Sequence, residues 1–85
     1  MIHFKPKNEV YVYFRVLDNE RVMVIVNHNT EKQRVDLLPF ANQLRGGISL
    51  RDVVTGNEIE LSGTNTLDLE GMSGRILEVV RPSKL

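Results

Sequence analysis

Five carboxylates, Asp52, Glu58, Glu60, Asp68 and Glu70, fall between positions 52 and 70 of this 85-residue chain. A pair of such groups can cleave a glycosidic bond, one as acid and the other as nucleophile or base. The chemistry needs one carboxyl held in a dry pocket with a raised pKa. Glu58 and Glu60 instead alternate with Ile59 and Leu61, the pattern of a strand with one wet face. Unpaired acids are rarely buried, so these five are read as solvated surface. His3 and His28 are far apart, and neither has a second histidine or a carboxylate at metal-ligand spacing. Ser49, Ser62, Ser73 and Ser83 lie in or beside turns with no base or orienting group placed by a local motif. Gly46-Gly47 and Gly71…Gly74 match neither phosphate-binding fingerprint. The expectation is no catalytic residue, no metal site and no cofactor.

The aromatic residues offer a different chemistry. Tyr11 and Tyr13 are two apart, so in a strand they project from one face. Exposed tyrosines can stack on the apolar face of a sugar ring. Core or interface packing is the commoner use of strand tyrosines.

Composition bounds the partners. Lysine plus arginine and aspartate plus glutamate number 11 each, so the formal net charge is zero. Nucleic-acid binders usually carry a basic excess on one face, and no such partner is expected. No apolar run approaches the roughly 20 residues of a membrane-spanning helix. There is no cysteine. A chain this short buries only roughly 60–65% of its unfolded surface, so its stability margin is thin.

The elements that must position these residues are short strands. Val10 to Val16 and Arg21 to Val26 are rich in β-formers and flank Leu17-Asp18-Asn19-Glu20, a turn sequence. Glu31 to Asp36 is a further short strand. Leu37, Leu38, Ala41 and Leu44 then recur at helical spacing, with Asp36 as candidate N-cap and Gly46-Gly47 as the stop. Ile48 to Val54, Glu58 to Leu61, Thr66 to Leu69 and Arg75 to Val80 are strands separated by turns at Thr55-Gly56-Asn57, Ser62 to Asn65 and Glu70 to Gly74. Seven or eight short strands at this spacing, with one helical turn near 37–44, predict an all-β antiparallel sandwich.

The first hairpin has an excess of apolar residues. With Asp18-Asn19 at the tip, one face carries Val10, Val12, Phe14, Met23 and Ile25. The other carries Tyr11, Tyr13, Val22, Val24 and Val26. A one-residue bulge would exchange members between the faces. Under either register a sandwich interior covers one apolar face and leaves the other as a patch of the kind that meets another protein surface. Tyr11, Tyr13, Met23 and Ile25 are the residues expected at such an interface.

The blocks VYVYFR (10–15), ERVMVIVNHNTEKQRVDL (20–37), PFANQLRGG (39–47), DVVTGNEIEL (52–61) and LDLEGMSGRILEV (67–79) resemble the C-terminal domain of α-amylase-family glycoside hydrolases. The similarity is greatest to the cyclomaltodextrinase, neopullulanase and maltogenic amylase group. It implies a Greek-key β-sandwich placed after a (β/α)8 barrel that holds the catalytic acids, none of which has a counterpart here. Residues 1–8 would then be the linker leaving an absent barrel, 9–81 the sandwich and 82–85 a tail. The implied role is a non-catalytic accessory domain of a hydrolase acting on α-1,4 or α-1,6 glucosidic bonds, its partner being the barrel of the same parent chain. The parent would sit in the cytoplasm or periplasm of a bacterium. An independent starch- or maltodextrin-binding module using the tyrosines is the second reading. Self-association of the isolated chain through its apolar patch is the third.

Overall fold

The protein is described by a computed structural model covering residues 2–18, 20–61 and 66–81. Asn19 at the hairpin tip, the Ser62 to Asn65 turn and the 82–85 tail lie outside the described residues. Among the described residues eight strands run in chain order: β1 (Ile2–His3), β2 (Val10–Leu17), β3 (Glu20–Asn27), β4 (Gln33–Asp36), β5 (Ser49–Asp52), β6 (Glu58–Glu60), β7 (Thr66–Leu69) and β8 (Ser73–Val80). A 3-10 turn (Leu38–Phe40) runs into the one-turn helix α1 (Ala41–Leu44) between β4 and β5. All pairings are antiparallel, and the strands form a six-stranded sheet β1-β2-β3-β8-β5-β6 and a two-stranded sheet β4-β7. This is the all-β sandwich that the strand spacing predicts.

The β2–β3 register sets Val12 against Ile25, Tyr13 against Val24, Phe14 against Met23 and Val16 against Arg21. No bulge intervenes, so the face assignment follows the alternation along each strand. Val10, Val12, Phe14, Met23 and Ile25 are buried, together with Leu50 of β5 and Leu77 and Val79 of β8. Leu67 and Leu69 of β7, and Leu37, Phe40 and Leu44 around the helical turn, close the core from the other side.

Residues 2–4 pair with and pack against the sandwich. Ile2 pairs with Phe14 and His3 with Tyr13. Phe4 packs edge-on against Phe40 (ring centroids 4.7 Å apart) and against Phe14 (5.9 Å). The chain then reverses at Asn8-Glu9, both at positive φ (52° and 58°), with reciprocal backbone hydrogen bonds between Lys7 and Val10. Two successive left-handed residues make a type I′ turn, whose twist matches that of the strands it joins.

The helical turn differs in detail from the sequence reading. Leu37 occupies the N-cap position, while the Asp36 carboxylate accepts the Leu38 N–H at 3.0 Å. Pro39 falls in the first turn, where its missing N–H is not needed. Gly46 stops the helix at φ +82°, a conformation that costs a residue with a Cβ more than it costs glycine.

Candidate functional site

The outer face of the six-stranded sheet is built by β1, β2, β3, β8 and β5 read in register. Tyr11 lies beside Val26, which lies beside Gly74. One step along, His3, Tyr13, Val24 and Ile76 form a row across four strands. The next step carries Arg15, Val22, Glu78 and Arg51. Tyr11 is 49% exposed, Ile76 41% and Val26 38%, while Tyr13, Val22 and Val24 are half-buried. Apolar side chains therefore form a continuous stripe on the solvent side of the sheet, from Tyr11 to Ile76. Gly74 has no side chain and leaves a notch beside Val26. The stripe is bounded on one side by the Arg51–Glu78 ion pair (2.9 Å). On the other side His3 lies over Tyr13 with ring centroids 5.5 Å apart and an interplanar angle of 30°.

Of the four residues expected at an interface, only Tyr11 and Tyr13 lie on this face. Met23 and Ile25 are fully buried in the domain's own core, against Leu77 and its neighbours. The physical reason is the period-2 alternation: Met23 faces Phe14 and Ile25 faces Val12, and both partners point inwards. Val22, Val24 and Val26 take their place. Ile76 was missed because it reaches the face through β3–β8 pairing, a contact between strands about fifty residues apart in sequence.

The carboxylates are not brought into one pocket. Glu58, Glu60 and Glu70 are exposed. Asp68 is held by Arg34 (3.1 Å) and Lys32 (3.9 Å) on the outside of the small sheet. Asp52 departs from the surface reading. It is buried, and its Oδ1 accepts the N–H groups of Val54 (2.9 Å) and Thr55 (3.1 Å), while Oδ2 accepts Arg75 Nε at 3.2 Å. The Thr55 and Val54 amides, with help from the Arg75 guanidinium, hold its pKa below the usual value of 3.8 and outweigh the opposing effect of burial. A carboxyl held this firmly ionised is a turn anchor, not a proton donor. His28 is exposed at the end of β3, away from His3 at the sheet edge. Among the described residues there is no cluster of three or more His, Cys, Asp or Glu side chains suited to a metal. No helix among them is long and apolar enough to cross a membrane.

The residues of this sandwich also match a known family. The sequence pattern described as "Cyclo-malto-dextrinase C-terminal domain" covers residues 1–78. The chain belongs to that family. Its inclusion of the first eight residues agrees with the pairing of β1 and the packing of Phe4. Solved structures show the same fold at low identity. AmyP, determined in complex with maltose, superposes with a TM-score of 0.78 at 20% identity over 95% of this chain. An Anoxybacillus α-amylase gives 0.76 at 19% over 99%. A β-galactosidase from Bacillus circulans sp. alkalophilus gives 0.62 at 24% over 93%. This domain spans only 16%, 18% and 10% of those three chains respectively. The same sandwich thus accompanies enzymes named for different specificities, so the fold by itself does not set a substrate.

Proposed function

We propose that this cyclo-malto-dextrinase C-terminal domain is a non-catalytic accessory domain of an α-glucan-degrading hydrolase of the α-amylase family. In this reading it stabilises the catalytic (β/α)8 barrel by packing its outer sheet face against it. The parent's specificity would be of the cyclomaltodextrinase or neopullulanase kind, acting on α-1,4 or α-1,6 glucosidic bonds. The observation that carries the docking role is the stripe of Tyr11, Tyr13, Val24, Val26 and Ile76 on a sheet face that the core does not use.

The energetics support a tethered partner. At about 25 cal/mol per Å2, covering about 300 Å2 of apolar surface stabilises by several kcal/mol. A partner on the same chain avoids much of the entropy cost of association. That gain is comparable to the whole stability of a small domain.

The test is an assay of the chain alone on maltodextrin, β-cyclodextrin and pullulan. No release of reducing sugar is expected, and turnover of any of the three would overturn the accessory role. Titration with maltoheptaose, followed by NMR, addresses the sugar-binding alternative. Shifts centred on Tyr11 and Tyr13 would replace docking by glucan binding, and none are expected there.

A further inference from the structure

We propose that a second surface, the groove between the free edge of β4 and the β1–β2 turn, accepts an extended acidic polypeptide segment as an added strand. The inference does not depend on what covers the outer sheet face. The small sheet has two strands, so β4 pairs with β7 on one side and has an open edge on the other. A cavity of about 370 Å3 touches all four residues of β4, Gln33 to Asp36, and none of β7. Successive strand side chains point to opposite faces, so a cavity meeting four in a row runs along the edge and not over one face. Half of β4's backbone N–H and C=O groups point to that edge, and among the described residues no backbone bond outside the β4–β7 ladder uses them. An unpaired edge of this kind is a template for another strand.

The walls state what that strand should carry. Phe4, Val12 and Phe40 give the groove an apolar floor, and Lys5 and Lys7 stand at its rim. The ion pairs among the described residues use Lys32, Arg34, Arg51 and Arg75, and neither rim lysine. Arg34 also lines the groove but is engaged by Asp68 at 3.1 Å. Asp36, the one acid in the lining, has its Oδ1 turned to the Leu38 N–H. Three basic side chains against one acid, over an apolar floor, fit a segment that alternates acidic and apolar side chains. At strand spacings of about 3.3, 4.8 and 10 Å an extended residue fills roughly 160 Å3, so the cavity holds about two, with flanking residues outside.

The probe is acetyl-Glu-Val-Glu-Val-Glu-amide titrated into the 15N-labelled chain. Amide shifts concentrated at Gln33 to Asp36 and Lys5 to Asn8 are expected, with a Kd on the order of 1 mM, as suits so short a contact. The affinity should fall about tenfold in a Lys5→Glu/Lys7→Glu variant, whose two sites are exposed. In the unaltered chain it should also weaken severalfold as salt rises from about 0.05 to 0.5 M, a readout that requires no variant. Absence of shifts at about 5 mM peptide would overturn the proposal. So would equal binding of acetyl-Lys-Val-Lys-Val-Lys-amide, or a groove that responds to maltoheptaose and not to the peptide.

Discussion

Asn27, fully buried at the end of β3, donates its side-chain amide to the Glu70 carbonyl at 3.0 Å and so ties the six-stranded sheet to the chain leaving β7. The same amide reaches the Glu31 carbonyl at 3.0 Å, and Oδ1 accepts the Asn29 N–H at 3.0 Å. Removing it leaves several backbone groups without partners away from water. Asn27→Ala is expected to destabilise by about 2–3 kcal/mol, lowering Tm by about 10–20 °C. Thermal and urea unfolding of the isolated chain check this.

Gly71 faces the Thr30 backbone so closely that a Cβ there would overlap the Thr30 carbonyl. The neighbouring bond from Met72 N–H to the Asn29 carbonyl (2.8 Å) fixes this approach. Backbone has no rotamer in which to move aside. Gly71→Ala should therefore cost about 2–3 kcal/mol, measured by urea denaturation, whereas Gly56→Ala meets open space and only strains a φ of +80°.

Glu9 sits at the second left-handed position of the Asn8-Glu9 turn, where glycine is the favoured residue. Its side chain makes no hydrogen bond or ion pair among the described residues. Glu9→Gly should raise stability by about 0.5–1 kcal/mol, seen as a higher urea midpoint at unchanged slope.

Asp52 makes stability depend on acid. Its folded pKa lies below the unfolded value, so the ionised carboxylate favours the fold above about pH 3.8, and that contribution is lost as pH falls through this value towards the folded pKa. Asp52→Asn should have a lower Tm at pH 7 and a flatter acid limb. The two Tm values should converge below pH 3.8, as a series of melts would show.

Local pattern made the first hairpin legible, because β-formers flanking a turn determine both the strands and, without a bulge, their register. The same information left open which face becomes the core. That choice is made by Leu50, Leu67, Leu69 and Leu77, which arrive from strands distant in sequence. Met23 and Ile25 fall on the core face as a result. The pairing of Ile2 and His3 is silent in the sequence because two paired residues carry almost no periodic signal, and Phe4's contacts with Phe14 and Phe40 are tertiary. Asp52 resembled its solvated neighbours because its burial comes from the turn it caps and from Arg75, twenty-three positions away. The family resemblance succeeded where single residues were silent, since it rests on the order of blocks along nearly the whole chain.

The docking role of the outer face is tested most directly by Tyr11→Lys with Ile76→Lys, compared in two settings. In the 85-residue chain both positions are exposed, and a change in unfolding free energy below about 0.5 kcal/mol is predicted. In a chain that carries the domain joined to the proposed catalytic barrel, the same pair should lower the melting temperature of the whole by several degrees and expose the sandwich to proteolysis. Equal stability of substituted and unsubstituted chains in both settings would mean that nothing rests on this face.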